Sequence, residues 1–183
     1  MSYNGKSHVL LEPHNSIIYD WVESTEKKWE EGKADTEDSS YRMSKFAWLD
    51  PPYIVKNELM TAANVAVKEG KWFFDLKRIE PLQYTVYGEG GKYDWHIDPH
   101  DYGYSEMFKG VRKLSMTMYL NDGYEGGNFQ IETGGPNNPQ RYLTFFPEKG
   151  AILFFPSITW HRVTPVIRGI RKSLVAWFLS DHG

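Results

Sequence analysis

The second part of the chain is a series of short β-like segments separated by turn residues, and this pattern limits the fold more than any other feature. From Ile79 onward, runs of apolar and aromatic residues alternate with clusters of Gly, Pro, Asn and Asp. Eight such segments, without helical stretches between them, are typical of a sandwich or jelly roll and not of alternating βα units. The predicted strands are 82–87, 93–98, 113–120, 128–132, 142–146, 151–155, 161–166 and 170–179.

The residues before this region predict two helices. Apolar and aromatic residues recur at helical spacing from Ile17 to Trp29, and Asn15 is the expected N-cap. Two prolines then stop a predicted strand over 41–49 and open a second helix over 53–69. We therefore expect a mainly β (α+β) jelly roll with N-terminal helices packed on one sheet.

No linker or internal repeat interrupts the sequence. The chain is predicted to be a single domain over 1–183, in which 1–78 supports a jelly-roll core over 79–183.

Composition narrows the class of protein. The net charge of −3 implies no basic surface, so nucleic acid is not an expected partner. There is no cysteine, which excludes disulfides and thiolate metal ligands and favours a reducing compartment. No apolar run approaches the roughly 20 residues that span a bilayer, and the first residues lack the features of a signal peptide. We expect a cytoplasmic protein with no membrane partner, and the sequence leaves its oligomeric state open.

His96 and Asp98 are the first candidates for a functional site. They lie two residues apart in a predicted strand, and side chains at positions i and i+2 of a strand point to one face. An imidazole beside a carboxylate supplies two of the three ligands of a 2-His-1-carboxylate site, which suits non-haem Fe(II). His161, which opens the strand after the apolar segment 151–155, is the best candidate for the third ligand.

Arg171 and Ser173 form a second candidate set. Arg171 lies in a strand built otherwise of mostly apolar residues, where an inward-facing guanidinium is costly unless it meets an anion. Ser173 shares its face by strand alternation, as do Val175 and Trp177. A guanidinium beside a hydroxyl group is a good receptor for a carboxylate.

Several ordered motifs resemble one known family. Over about 82–179, and more loosely at Arg42-x-Ser44, the chain is similar to the prolyl 4-hydroxylase-type branch of the Fe(II)/2-oxoglutarate-dependent oxygenases. Seven elements in the right order are far more specific than any one of them alone. These elements are Tyr93-x-x-His96-x-Asp98, Arg112 leading to Tyr119-Leu120-Asn121, Glu125-Gly126-Gly127, Phe155-Pro-Ser157, His161-x-Val163-x-Pro165-Val166, Gly169-x-Arg171-x-Ser173 and Trp177.

The resemblance implies a double-stranded β-helix with a catalytic Fe(II) held by His96, Asp98 and His161. The implied reaction is the oxidative decarboxylation of 2-oxoglutarate to succinate and carbon dioxide, coupled to hydroxylation of a C–H bond. Dioxygen is the second cosubstrate, and ascorbate is a candidate reductant. A prolyl residue of a peptide or protein is the leading candidate for the substrate.

The resemblance also implies a binding site for 2-oxoglutarate. Arg171 would bind the distal carboxylate, Tyr119 would donate a hydrogen bond to it, and Ser173 would assist. Tyr87 occupies a family position near this cosubstrate. The loop 101–110 follows the metal-binding strand, and we expect it to act as a lid over the substrate.

Two alternatives for the function and one for the metal ligands remain open at this point. The same chemistry can act on a small molecule or free amino acid, because family fold does not determine the substrate. A non-catalytic metal-binding jelly roll or a zinc hydrolase can use the same three ligands. His100 is a spare metal-ligand candidate, although a histidine near the site or on the surface fits it better. A nucleic-acid demethylase is disfavoured, because the chain is not basic and no second arginine follows Arg171 at the spacing of those enzymes.

Overall fold

A computed structural model of the chain describes residues 5–12, 16–32, 42–98 and 110–181. These ranges contain two α-helices and fourteen β-strands. The helices are α1 (Ser16–Ser24) and α2 (Tyr53–Gly70). The strands are β1 (Val9–Leu11), β2 (Glu30–Gly32), β3 (Arg42–Leu49), β4 (Arg78–Ile79), β5 (Leu82–Tyr87), β6 (Lys92–His96), β7 (Val111–Tyr119), β8 (Glu125–Gly126), β9 (Phe129–Glu132), β10 (Tyr142–Phe145), β11 (Ile152–Pro156), β12 (His161–Val163), β13 (Val166–Arg168) and β14 (Arg171–Ser180).

The strands curl into two antiparallel sheets that share strand β3. The major sheet has the order β1-β11-β7-β14-β5-β3, and the minor sheet continues as β3-β6-β12-β9-β10. Strand β3 belongs to both, because Arg42 and Met43 pair with β6 whereas the segment from Lys45 to Leu49 pairs with β5. Strand β2 pairs with β3, β4 pairs with β14, and β8 with β13 forms a separate ribbon. This arrangement confirms the mainly β jelly roll predicted from the sequence, a double-stranded β-helix, and each predicted strand segment contains at least one strand.

Strand β14 separates the two apolar cores of the molecule. It pairs with β5 on one side and with β7 on the other. Since successive side chains of a strand alternate between faces, Leu174, Ala176 and Phe178 join the core under the helices. Arg171 and Trp177 face the opposite way, into a cavity between the two sheets. The same alternation along β7 and β5 completes the walls of that cavity.

Both helices cover the outer face of the major sheet, as predicted. Their apolar positions recur three or four residues apart, so that one stripe of each helix is buried. Within the described residues, neither helix has the length and apolar character needed to cross a bilayer. The buried helical residues are Ile18, Val22, Val55, Leu59, Ala63 and Ala66.

Helix α1 ends earlier than the spacing of apolar residues predicts. The Lys27 ammonium group donates to the carbonyl oxygens of Val22 and Thr25 at 2.7 and 2.9 Å. These bonds satisfy carbonyl groups at the end of the helix, where no backbone N–H group within the helix can reach them. The chain then turns away, and Trp29 packs edge-on against Tyr84 beside strand β2. The predicted N-cap Asn15 lies outside the described residues.

The predicted strand 161–166 is two strands instead of one. Pro165 has no N–H group to donate to a ladder, and strand β12 ends before it. Val166 then exchanges backbone hydrogen bonds with the turn at Gly90 and Gly91. Strand β13 consequently leaves the minor sheet and pairs with β8.

Gly70 ends helix α2 for a reason of packing. A Cβ atom at this buried position would lie 2.6 Å from the indole ring of Trp72. The indole N–H of Trp72 donates to the carbonyl oxygen of Lys6, and the Lys6 amide donates to the carbonyl oxygen of Gly70. The glycine therefore allows the tryptophan to fasten the N-terminal segment to the end of the helix.

We predict that Gly70→Ala lowers the free energy of unfolding by about 1–2 kcal/mol. Overpacking typically costs about 1–3 kcal/mol, and the better helix propensity of alanine returns up to about 1 kcal/mol. Urea denaturation of both proteins measures the difference. Gly88→Ala is the control, because a Cβ atom at Gly88 meets nothing within 4 Å. Equal losses in the two variants would contradict the packing argument.

Candidate metal centre

His96 and His161 face each other across the ladder between β6 and β12. They are register partners, and their ring centroids lie 4.1 Å apart. The Nδ1 atom of each ring lies 2.7–2.8 Å from a backbone carbonyl oxygen two residues earlier, at Asp94 and Thr159. Because a carbonyl oxygen only accepts, each Nδ1 carries a proton, and each ring in its neutral form presents a lone pair on Nε2. The two lone pairs are thereby available to one ion.

The carboxylate of Asp98 completes a cluster of three ligand atoms. Its Oδ1 atom lies 3.6 Å from Nε2 of His96 and 3.3 Å from Nε2 of His161. One ligand atom from each of the three residues lies within 4.8 Å of the others, close enough to hold a single metal ion. The structure therefore brings together the three residues predicted as ligands. Two of them are histidines of the minor sheet, and the third is an aspartate.

The position of Asp98 differs from the prediction in one respect. The strand predicted to run through residue 98 ends at His96, so Asp98 is not held by the β6 ladder. Its backbone N–H instead donates to the carbonyl oxygen of Ser157 at 2.9 Å. The carboxylate reaches the two imidazoles from this turn and not by strand alternation.

The charges within the cluster suit a metal ligand set. Burial, reinforced by the neighbouring His161, lowers the pKa of His96 to about 3, so this ring is neutral. Burial acts to raise the pKa of the Asp98 carboxyl group, but His161, His96 and Ser115 together hold it well below its ordinary range. Burial acts to lower the pKa of His161, and the Asp98 carboxylate outweighs this and raises it. A metal ion bound here therefore competes with a proton on His161.

One cavity of about 430 Å³ contains both this cluster and the buried guanidinium of Arg171. Its volume is in the range of pockets that hold small organic ligands. Four aromatic side chains and two polar residues also line this cavity. These are Tyr87, Tyr93, Trp177, Trp48, Ser173 and Arg42.

Arg171 is buried without an anion. The residue is 1% exposed, and its guanidinium lies 5.4 and 5.3 Å from the ring centroids of Tyr87 and Tyr119. Nη1 donates to the Ser173 hydroxyl at 3.3 Å, while Nε and Nη2 have no hydrogen-bond partner among the described residues. An unpaired buried cation costs on the order of several kcal/mol, and such a site is a receptor for an anionic ligand.

Two further buried donors lack partners among the described residues, one on Tyr119 beside Arg171 and one on Trp177 farther along strand β14. The buried hydroxyl group of Tyr119 and the indole N–H of Trp177 make no hydrogen bond to the described residues. Burial raises the pKa of Tyr119, so its phenol keeps its proton and can donate. Tyr119 is the register partner of Ser173, which places its hydroxyl group beside the guanidinium. Tyr87 is the register partner of Arg171, so the four predicted cosubstrate residues lie together.

Arg42 is a second buried cation in this cavity. Its Nε donates to the Ser44 hydroxyl at 2.9 Å, and its guanidinium stacks 4.5 Å from the ring centroid of Tyr93. Tyr93 in turn stacks on His96, with ring centroids 3.6 Å apart. Among the described residues Arg42 has no carboxylate partner. A ligand between the metal cluster and strand β3 would therefore meet a guanidinium group.

Two sets of contacts at this site were not predicted from the sequence. The Ser115 hydroxyl donates to Oδ2 of Asp98, and Arg112 pairs with the buried carboxylate of Glu80 while Nη1 reaches the carbonyl oxygen of Asp98. Serines in strands and distant ion pairs carry no sequence pattern, so only the register of the sheets reveals them. The spare candidate His100 and most of the predicted lid, residues 101–109, lie outside the described residues.

Comparison with known proteins gives a family model described as the 2OG-Fe(II) oxygenase superfamily, which matches residues 82–179. Two relatives are PKHD-type hydroxylases. The one from Synechococcus sp. (strain CC9605) is 28% identical over 180 residues, which cover 95% of this chain and 77% of the relative. The one from Prochlorococcus marinus (strain MIT 9215) is 28% identical over 186 residues, which cover 97% of this chain and 78% of the relative.

Solved structures share the fold at lower identity. A Pseudomonas putida prolyl-4-hydroxylase is 19% identical with a TM-score of 0.69, and the match covers 96% of this chain and 94% of that one. A Trichoplax adhaerens prolyl hydroxylase, solved with a hypoxia inducible factor oxygen degradation domain peptide fragment, is 17% identical. Its TM-score is 0.69, with 96% of this chain and 84% of that chain covered.

We predict that a divalent transition metal stabilises the protein through these three ligands. At a free metal concentration one hundred times the dissociation constant, binding adds about 2.7 kcal/mol to the free energy of unfolding. The rise in the thermal midpoint with Zn(II) or Co(II) should disappear in Asp98→Asn. Asp94→Asn is the matched control, because only its backbone oxygen contacts His96 and its carboxylate pairs with Lys92. A full rise in Asp98→Asn would exclude this carboxylate as a ligand.

Proposed function

The chain belongs to the 2OG-Fe(II) oxygenase superfamily and is a prolyl hydroxylase-like 2-oxoglutarate-dependent dioxygenase, and we propose that it hydroxylates a prolyl residue in a peptide. The observation that carries the proposal is the pair of half-sites in one cavity. The same cavity is lined by a cluster of metal ligands and by a buried guanidinium that has no anionic partner among the described residues. A ligand that chelates a metal ion and also carries a distant carboxylate satisfies both.

His96, Asp98 and His161 would hold Fe(II) in this reading. Two imidazoles and one carboxylate would fill three coordination positions of the ion and leave others open, which is the ligand set of non-haem Fe(II) oxygenases. When bound, Fe(II) supplies the activation of dioxygen that 2-oxoglutarate oxidation and C–H hydroxylation require. Phe129 and Phe155 pack on the ring of His161, at centroid distances of 5.6 and 4.7 Å, and keep water from that ligand.

Arg171 and Tyr119 would bind the distal carboxylate of 2-oxoglutarate. The free Nε and Nη2 donors of Arg171 suit the paired oxygens of a carboxylate, and the Tyr119 hydroxyl supplies a third donor. Ser173 holds Nη1 and fixes the plane of the guanidinium, while Tyr87 flanks it. Binding of the dicarboxylate would thus supply partners for donors that have none among the described residues.

A peptide substrate has two lines of support. The Trichoplax adhaerens prolyl hydroxylase with this fold was solved with a peptide fragment, and the relatives are PKHD-type hydroxylases. In this chain, Arg42 offers a guanidinium to the same cavity, and Trp48 and Trp177 lie 6.1 Å apart along it. Aromatic walls beside a hydrogen-bond donor suit a proline ring followed by a peptide carbonyl group.

A free amino acid or other small molecule is the second candidate substrate. The guanidinium of Arg42 supports this candidate, because it has no carboxylate partner among the described residues and a free carboxylate is a stronger acceptor than a peptide carbonyl. The function of a zinc hydrolase or of a non-catalytic metal protein would account for the ligand cluster. It would not account for the buried donors of Arg171 and Tyr119. For this reason neither is the preferred function.

The test of the proposed function is product formation from a panel of candidates. The protein is incubated with Fe(II), 2-oxoglutarate and either proline-rich peptides or free amino acids, with and without ascorbate. We expect succinate and a peptide heavier by one oxygen atom in equal amounts, both lost when Fe(II) or 2-oxoglutarate is omitted. Oxygen incorporation into free amino acids alone would transfer the proposal to small molecules. Absence of metal-dependent succinate from every mixture would refute the oxygenase proposal.

Arg171→Ala is predicted to raise the KM for 2-oxoglutarate by about 10- to 100-fold. Hydrogen bonds to a charged group contribute about 1.5–3 kcal/mol, and each 1.4 kcal/mol is a factor of ten in affinity. The dependence of succinate formation on 2-oxoglutarate concentration measures the change. Arg168→Ala is the control, since Arg168 is an exposed arginine three residues earlier that pairs with Glu125. An unchanged KM in Arg171→Ala would show that the carboxylate binds elsewhere.

A further inference from the structure

Asp98 is fastened to a different sheet from the two histidines. His96 and His161 are paired within the minor sheet, whereas strand β6 stops before Asp98. The Asp98 amide donates to the carbonyl oxygen of Ser157, and the Ser157 amide donates to the carbonyl oxygen of Lys113, at 2.9 and 3.0 Å. Lys113 belongs to strand β7 of the major sheet. The acid of the cluster is therefore attached to the major sheet through its backbone.

The two carboxylate oxygens of Asp98 have different environments. Oδ1 points to the imidazoles, while Oδ2 accepts a hydrogen bond from the Ser115 hydroxyl at 2.7 Å. Ser115 is 0% exposed, and its Oγ lies 2.9 Å from Oγ of Ser157, which is also buried. Both serines lie in or directly after strands of the major sheet. The carboxylate is thus held by its side chain to the same sheet as its backbone.

The direction of these hydrogen bonds follows from the chemistry of the groups. An ionised carboxylate only accepts, so the Ser115 hydroxyl proton points to Asp98. The remaining lone pairs of Ser115 face the Ser157 hydroxyl, which must then be the donor between the two serines. Ser157 thereby orients Ser115, and Ser115 orients the carboxylate.

We propose that Ser115 is a positioning residue that holds Oδ2 of Asp98 so that Oδ1 faces the two imidazoles, and that Ser157 orders the Ser115 hydroxyl group. An ion held by Asp98 and the two imidazoles would then link the major sheet to the minor sheet. This inference rests on the proposed role of His96, Asp98 and His161 as metal ligands. Groups that orient a metal ligand in this way typically contribute about 10- to 100-fold to metal affinity.

Without Ser115 the carboxylate loses the partner of Oδ2. It can then rotate, expose both oxygens to the ion, or leave the position that the imidazoles require. Each of these changes would move the carboxylate oxygen relative to the two imidazole nitrogens and would alter the coordination of the ion. If Ser115 had only a structural role, its removal would affect folding but neither the affinity for the metal ion nor the coordination of that ion.

The experiment is a Co(II) titration of the full chain, followed by visible absorption, with 2-oxoglutarate absent. We expect Ser115→Ala to raise the dissociation constant for Co(II) by at least about tenfold and to change the Co(II) spectrum. We expect Ser157→Ala to raise it by a smaller factor, with the spectrum preserved. Ser180→Ala is the control, because this buried serine donates to the carbonyl oxygen of Asp75 away from the cluster.

The outcomes separate this inference from the proposed function. Binding of Co(II) by the unmodified chain that is lost in His161→Ala supports the metal site itself. If Ser115→Ala then binds Co(II) with the affinity and spectrum of the unmodified chain, the positioning role is wrong while the metal site stands. If Ser115→Ala does not fold, Ser157→Ala decides, and an unchanged dissociation constant in that variant overturns the proposal. Equal Co(II) binding in His161→Ala and the unmodified chain would instead overturn the metal site.

Discussion

The register of strand β14 between β5 and β7 is the constraint on which the site depends. In this register Leu174 and Phe178 reach the core under the helices, and Arg171 enters the cavity beside Tyr87 and Tyr119. A slip by one residue would turn every side chain of the strand to the opposite face. The apolar residues that pack on helix α2 thus hold a guanidinium in a place that it would not occupy by itself. The pairing of β14 with its two neighbours therefore determines both the packing of the core and the position of the guanidinium.

The cavity brings together polar and charged groups whose burial is individually unfavourable. Among the described residues, buried donors of Arg171 and Tyr119 lack acceptors, and a buried carboxylate lies close to two imidazoles. The stability of the rest of the fold, with two apolar cores and two continuous sheets, offsets this local cost. Ligand binding would remove the cost, because the metal ion and the dicarboxylate each supply the missing partner. Such a site has its polar groups oriented before any ligand arrives, which favours binding.

Sequence periodicity predicted much of this architecture, because alternation of apolar and polar residues is a local property. The strand containing Arg171 and the nomination of His161 came from such patterns, and the structure places both residues in the cavity. The failures have tertiary causes. Lys27 ends helix α1 by capping carbonyl groups, and Asp98 leaves its strand to bond to another sheet. Ser115 carries no recognisable signal, because its role arises only from the pairing of distant strands.

The proposed function requires one cavity to bind a metal ion and a dicarboxylate that contact each other. Calorimetric titration of 2-oxoglutarate into the protein, with and without Mn(II) as a substitute for Fe(II), tests this directly. We expect one 2-oxoglutarate per chain and an affinity that rises by at least about tenfold when Mn(II) is present, because 2-oxoglutarate would then also bind the metal ion. Binding of 2-oxoglutarate with the same affinity in the presence and absence of the metal, or none at all, would contradict it.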